Sequence, residues 1–138
     1  MLYGIFPCNY NLKKWKIITL DTCDNCSSQQ TIKHLLFECT YARKLWSKVK
    51  DIYQFQLTFS ILLGQDPQCR YNSLLTLLSF LIYKEWLLKS LDRKLRNQEL
   101  QLSFYKYEVD LRLKIYKNCN TMRDHDMALM QQFVEEVQ

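Results

Sequence analysis

Three thiols and an imidazole fall within a short stretch of the chain. Cys23-Asp-Asn-Cys26 is followed after seven residues by His34 and after four more by Cys39. These residue types suit one zinc ion, which takes four N or S ligands in a tetrahedron. A Cys-x-x-Cys turn presents two sulfurs to one ion, and the His–Cys pair completes the shell. Three thiolates and a neutral imidazole leave no open position for water, so such a centre is structural and not catalytic. From the residues alone, three free thiols and a core histidine remain the alternative.

The second pair of ligands needs help from the backbone. Thr31 is placed to N-cap a helical segment over Ile32–Glu38, with His34 in its first turn. His34 and Cys39 are five residues apart, about 500° of α-helical rotation, which leaves them roughly 140° off a common face. The helix must therefore end or loosen near Cys39, and Thr40 can cap a new one.

The rest of the sequence predicts a mainly α fold: a small Cys-Cys-His-Cys zinc-stapled module followed by a bundle of about four helices. Two Gly and two Pro in 138 residues leave too few turn formers for a β-sandwich. The organisation read here is a lead-in over 1–22, the zinc module over 23–39 and a helical region over 40–138 packed on it as one domain. Within the lead-in, 11–17 suggests a short helical turn with Trp15 near the metal. From Thr40, Ala42, Leu45, Trp46, Val49, Ile52 and Tyr53 share a face. Residues 55–70 give no clear helical signal, and Gln65-Asp66-Pro67 reads as a loop. Asn72 or Ser73 caps a long helix reaching about Leu95, with Trp86, Leu87, Leu91 and Leu95 inward. A further helix spans Asn97–Lys117, its inward positions Leu102, Tyr105, Val109, Leu113 and Tyr116. The last, Asp124–Val137, buries Met127, Met130, Phe133 or Val134, and Val137.

Composition narrows the function classes. The longest apolar run, Leu74–Tyr83, is too short for a membrane span, which needs roughly 20 residues. The N-terminal residues carry no basic segment and apolar core of a secretory signal. The expectation is therefore an intracellular protein, nuclear or cytoplasmic, with no membrane partner. In that setting Cys8, Cys69 and Cys119 read as small buried hydrophobes and not as a disulfide framework. No nucleophile with a base, no paired acids and no open metal site appear, so an enzyme is not expected.

The formal net charge is +5, and all the acids of the last fifteen residues stand without a base. Residues 1–123 hold every one of the 19 bases. A basic body suits a polyanion, although charge alone fits a solvated helical surface equally well. Arg43, Lys44, Lys48 and Lys50 follow the metal segment, and Lys13, Lys14 and Lys16 precede it. These are the candidate phosphate contacts, and they carry charge without base identity. Tyr10, Tyr41 and Tyr107 are the candidates for stacking on bases, whereas Trp46, Trp86 and Tyr105 read as core. His125 reads as a helix-surface histidine.

The segment from Cys23 to Trp46, with Thr31-Ile-Lys-His34-Leu-Leu-Phe-Glu-Cys39 and the pair Leu45-Trp46, closely resembles a known family. It is the zinc-binding module that follows the polymerase in reverse transcriptases of LINE-type non-LTR retrotransposons. By that resemblance the four ligands fall on Cys23, Cys26, His34 and Cys39. Leu12-Lys-Lys-Trp15 matches the basic-aromatic turn that precedes the module, and Gln30 stands where the family often has Glu. The resemblance is close over 11–50 and looser over 60–123, where Leu77–Lys84 looks like a helix beyond the module. It implies one structural zinc and a non-catalytic part of a reverse transcriptase that assists RNA and target-DNA handling in target-primed reverse transcription. Its implied partners are RNA or DNA, through the phosphate backbone, and the polymerase domain of the parent protein. The residues themselves leave open a zinc-stapled protein-interaction module or a degenerate fragment without independent activity. A restriction-like nuclease, which some relatives carry after the module, is rejected, because Asp66-Pro67 has the reverse order of its Pro-Asp and no acid–lysine cluster accompanies it.

Overall fold

The computed structural model describes residues 7–23, 25–91, 102–120 and 122–137, with Ser90 and Leu91 described in backbone only. Among these residues the fold is helical and contains no strand. The α-helices are α1 (Asn9–Lys14), α2 (Thr40–Tyr53), α3 (Phe59–Leu62), α4 (Asn72–Leu91), α5 (Leu102–Cys119) and α6 (Asp124–Glu136). A π-helical turn, His34–Glu38, lies between α1 and α2. The described residues of Met1–Trp46 and Ile82–Leu100 form one compact unit, and those of Ser47–Leu81 and Gln101–Gln138 form a second.

In the first unit the buried side chains include, within 1–46, Cys8, Cys23, His34, Leu36, Cys39, Leu45 and Trp46, and from α4 Ile82. The inward face expected for the start of α2 is thus present. Trp46 buries its ring and donates its indole N–H to the Leu36 carbonyl at 2.7 Å, which ties α2 to the π turn. Leu87, expected inward near the far end of α4, is not inward, and the side chain of Leu91 lies outside the described residues. Leu87 and Leu88 are 40% and 43% exposed. Glu85 and Lys89 are largely covered instead, paired at 3.1 Å, and the Lys89 ammonium sits over the Tyr41 ring, 5.1 Å from its centroid. A mutually satisfied ion pair with an aromatic face is covered at little cost, so charge pairing overrides the apolar phase of the helix. Leu95, and the bases Arg93, Lys94 and Arg96, lie outside the described residues, as does the expected helix start at Asn97.

In the second unit α5 packs on α6. Tyr105, Val109 and Leu113 are buried from α5, and Leu129, Met130, Phe133 and Val137 from α6 and its end. Leu102 and Tyr116, expected inward, are half-buried, as are Met127 and Val134. Leu74, Leu75, Leu78 and Leu81 form the buried side of α4, while Phe80 is 50% exposed. The stretch left open at 55–70 contains α3, whose N-cap Thr58 accepts a hydrogen bond from the Ile61 N–H. Ser73 does not cap α4; its hydroxyl donates to Asp126 at 2.7 Å. Asp126 is buried, takes a second hydrogen bond from Arg123 and was not anticipated as a core residue. Of the remaining thiols, Cys8 is buried, Cys69 half-buried and Cys119 exposed at the end of α5. The reading of Cys119 as a buried hydrophobe is therefore corrected, because the last turn of that helix lies at the surface.

Tyr53 closes the second unit's core from α2. Its hydroxyl donates to the Leu129 carbonyl at 2.6 Å, and burial pushes its phenol above the usual tyrosine value. The folded protein holds that proton more tightly than the unfolded chain does. Stability is then full below about pH 10 and declines as pH rises beyond it. Urea midpoints measured across alkaline pH should fall less steeply for Tyr53→Phe than for the parent. At neutral pH the same variant should lose about 1 kcal/mol with its hydrogen bond.

Candidate metal centre

The local fold brings the four sequence-predicted ligands together. The ligand atoms of Cys23, Cys26, His34 and Cys39 all lie within 4.8 Å of one another. The Cys23 and Cys39 sulfurs are 3.8 Å apart, and those of Cys26 and Cys39 are 3.7 Å apart. Zinc–sulfur bonds of about 2.3 Å in a tetrahedron require sulfurs roughly 3.8 Å apart, so the spacing is that of a zinc shell. It is far too long for a disulfide, whose sulfurs lie about 2.05 Å apart. His34 is buried, and its Nε2 finds no hydrogen-bond partner among the described residues. A buried, unsatisfied imidazole nitrogen is costly unless it has a ligand, and neutral imidazole is a zinc donor. The four residues fit one zinc ion. Bound there, zinc would supply a crosslink and no reactive water.

The backbone solves the five-residue spacing in two steps. Thr31 Oγ1 accepts from the His34 N–H at 3.1 Å, the N-cap expected of it. The segment then widens into a π turn, closed by the Cys39 N–H donating to the His34 carbonyl at 2.7 Å. In a turn with i→i+5 bonding, the residue five places on comes back over the first. At Cys39 the backbone leaves the helix, with φ −56° and ψ 139°. The break is where the sequence required it; the π turn was not foreseen. Thr40 is the first residue of α2 and not its cap. Cys39 takes the cap position: its carbonyl accepts the Arg43 N–H at 2.8 Å, and its sulfur accepts the Tyr41 N–H. A thiolate there also sits at the positive end of the α2 dipole.

The Cys-x-x-Cys loop is built in the same way. The Cys23 sulfur accepts from the backbone N–H groups of Asn25 and Cys26. The hydrogen bond that Cys23 shares with Cys39, with the backbone N–H groups, pushes the Cys23 thiol below its ordinary value. Cys39 is in turn pushed up by that shared proton and by burial. Zinc binding would displace the proton that these two sulfurs share. Thr22 and Gln29 form an antiparallel bridge across the loop, and the Cys23 N–H donates to the Ser28 carbonyl at 2.8 Å. Gln30, fully buried, ties this loop to α1. Its side-chain oxygen accepts from the Asn9 N–H at 3.0 Å, and its carbonyl accepts from the Tyr10 N–H at 3.0 Å. A neutral amide meets that role without burying a charge, which suits Gln in place of the family's frequent Glu. Gln30 was noted from the sequence only as a departure from the family's Glu, and its tie to Asn9 was not anticipated, because such a contact between distant residues leaves no local pattern.

Residues 1–46 match the family described as zinc-binding in reverse transcriptase. The match covers about a third of the chain and contains all four ligands. It is a zinc-binding family and not a catalytic one. No curated protein and no solved structure matches the chain.

Within this zinc-binding module, Lys13, Lys14, Lys16, Arg43 and Lys44 are exposed. Lys13 pairs with Asp21 at 3.7 Å. Further along α2, Lys50 is exposed and Lys48 half-buried, so Lys48 projects less than its helical position suggested. Tyr10 is 42% exposed, whereas the Tyr41 face is occupied by Lys89. Trp15, expected near the metal, is 41% exposed. Tyr107, in the second unit, is also exposed. No helix among the described residues is long and apolar enough to cross a membrane.

Elemental analysis should find one zinc per chain, lost in Cys26→Ser. Hydrogen exchange on that variant should show residues 20–40 losing protection while α5 and α6 keep theirs. Thr31→Ala should keep the zinc but lower the melting temperature, by the equivalent of about 1 kcal/mol for a lost N-cap. Uniform loss of protection in Cys26→Ser would instead show one cooperative unit.

Proposed function

We propose that this chain is the non-catalytic, nucleic-acid-binding zinc module from the C-terminal part of a LINE-type non-LTR retrotransposon reverse transcriptase. It holds element RNA and target DNA through their phosphates during target-primed reverse transcription, inside the cell, in nucleus or cytoplasm. The observation that carries this reading is the coincidence, within residues 1–46, of a reverse-transcriptase zinc family, a complete Cys-Cys-His-Cys shell and exposed bases on both sides of it. Lys13, Lys14 and Lys16 lie before the shell; Arg43, Lys44, Lys48 and Lys50 follow it on α2, which starts at Cys39's neighbour. The metal thereby fixes where the first turns of α2 present their charge. Lysine and arginine bind phosphate without reading bases, so this function needs no sequence specificity.

A second reading, docking onto the polymerase domain of the parent protein, has an observation of its own. Tyr107, Leu111 and Ile115, spaced four apart on α5, are 64%, 41% and 51% exposed. An exposed apolar stripe of this kind suits a protein partner.

Binding across a salt series tests the first reading. Replacing Arg43, Lys44 and Lys48 with Ala should flatten the dependence of log K on log salt by up to about three contacts, at roughly 0.9 each on duplex DNA. Zinc content should be unchanged; Arg43 and Lys44 are exposed charges, which contribute little to stability, and circular dichroism checks that replacing the half-buried Lys48 leaves the helices intact. Absence of binding by the parent chain at low salt would leave the docking reading.

A further inference from the structure

The α1 segment presents aromatic and basic side chains together in a way that the phosphate-binding reading does not use. Tyr10 and Trp15 are 42% and 41% exposed. Lys13, Lys14 and Lys16 stand exposed among them. Tyr10 lies one helical turn before Lys13 and Lys14 and so shares their side of α1. Only Lys13 has an ion-pair partner; Lys14 and Lys16 have none among the described residues. Ile17 and Leu20, which follow in sequence, are 65% and 70% exposed.

This surface is held in place. The Asn9 N–H and the Tyr10 N–H both donate to Gln30. The Asn9 side-chain amide donates to the Thr22 carbonyl at 2.9 Å. Both partners adjoin the Cys23–Cys26 loop, so the metal centre anchors α1 from behind. The C-terminal end of α1 is closed by a double hydrogen-bonded cap. The Ile17 N–H donates to the Leu12 carbonyl and the Lys16 N–H to the Lys13 carbonyl, each at 2.9 Å. Lys16 occupies the left-handed position of that cap, with φ 60°, where glycine is usual. The chain therefore carries a cation at a position whose backbone favours glycine, directly after the exposed Trp15 in sequence.

Resting on the nucleic-acid reading above, the geometry points to the C-terminal end of α1 as a stacking platform for single-stranded nucleic acid, with an unpaired base on Trp15 and phosphates on Lys14 and Lys16. Every base offers a π face, so stacking is sequence-tolerant, and it demands bases that are not already paired. Duplex DNA can satisfy the lysines but not the ring. The uneven demand makes the platform selective for strand state. Charge complementarity decides between a nucleic acid and a protein partner here, because Lys14 and Lys16 flank Trp15 without an ion-pair partner among the described residues, while Asp21 pairs with Lys13.

The test uses the full zinc-loaded chain with three labelled probes: oligo-dT, oligo-U and a mixed-sequence duplex of the same length. Tight binding of either single strand over the duplex is expected, and the two single-stranded probes show whether the sugar matters. Trp15→Ala should weaken single-strand binding by at least about fivefold and duplex binding by less than about twofold. Trp15→Phe should restore part of the loss. Zinc content and circular dichroism should match the parent. Lys16→Gly supplies a variant whose fold is not at risk: it should melt at a higher temperature while binding single strands less tightly. Unchanged single-strand affinity in Trp15→Ala, or in Lys16→Gly, would overturn the platform while leaving phosphate binding intact. If the parent chain binds none of the three probes, both the platform and the nucleic-acid reading fall.

Discussion

Much of the first unit follows from one geometric demand, that three sulfurs and one imidazole nitrogen meet at the corners of a tetrahedron. The 3.7 and 3.8 Å sulfur spacings satisfy it, and neighbouring backbone features serve it. The Thr31 cap fixes the start of the segment that carries His34. The π turn and the extended Cys39 carry the last ligand round to the others. Backbone N–H groups from the Cys-x-x-Cys loop and from the first turn of α2 steady the sulfurs. The Trp46 indole then clamps α2 to the π turn. A short segment with so little apolar content of its own gains its order from such a crosslink, as small metal modules do.

The sequence revealed the ligands because metal chemistry restricts residue type and spacing more tightly than packing does. It also revealed that a helix had to break at Cys39, since α-helical rotation cannot bring position 34 and position 39 together. How the break would be made was hidden, because a π turn has no distinct composition. The helices of the second unit were legible from apolar periodicity, down to Tyr105, Val109 and Leu113. Periodicity failed at the end of α4, where Leu87 and Leu88 face outward and the Glu85–Lys89 pair is covered. An ion pair that meets the Tyr41 ring depends on residues more than forty positions away, which no local window contains. The buried roles of Gln30 and Asp126 were hidden for the same reason: buried polar residues are justified only by distant partners.

The division of labour that results is physical. Zinc contributes order but no chemistry, because its four positions are filled by protein. What the ordered segment offers outward is charge and aromatic surface: lysines and two rings from α1, an arginine and a lysine from the start of α2. Their positions follow from the ligand positions, since α1 is tied to the loop through Gln30 and α2 begins directly after Cys39. Metal binding would thus order the segments that present this surface.

X-ray absorption at the zinc edge of the purified, zinc-loaded chain tests the central claim most directly. The tetrahedral shell predicts three sulfurs at about 2.3 Å and one nitrogen at about 2.0–2.1 Å, with the nitrogen lost and an oxygen gained in His34→Asp. A shell of two sulfurs, a shell with coordinated water in the parent protein, or a spectrum unchanged in His34→Asp would contradict it.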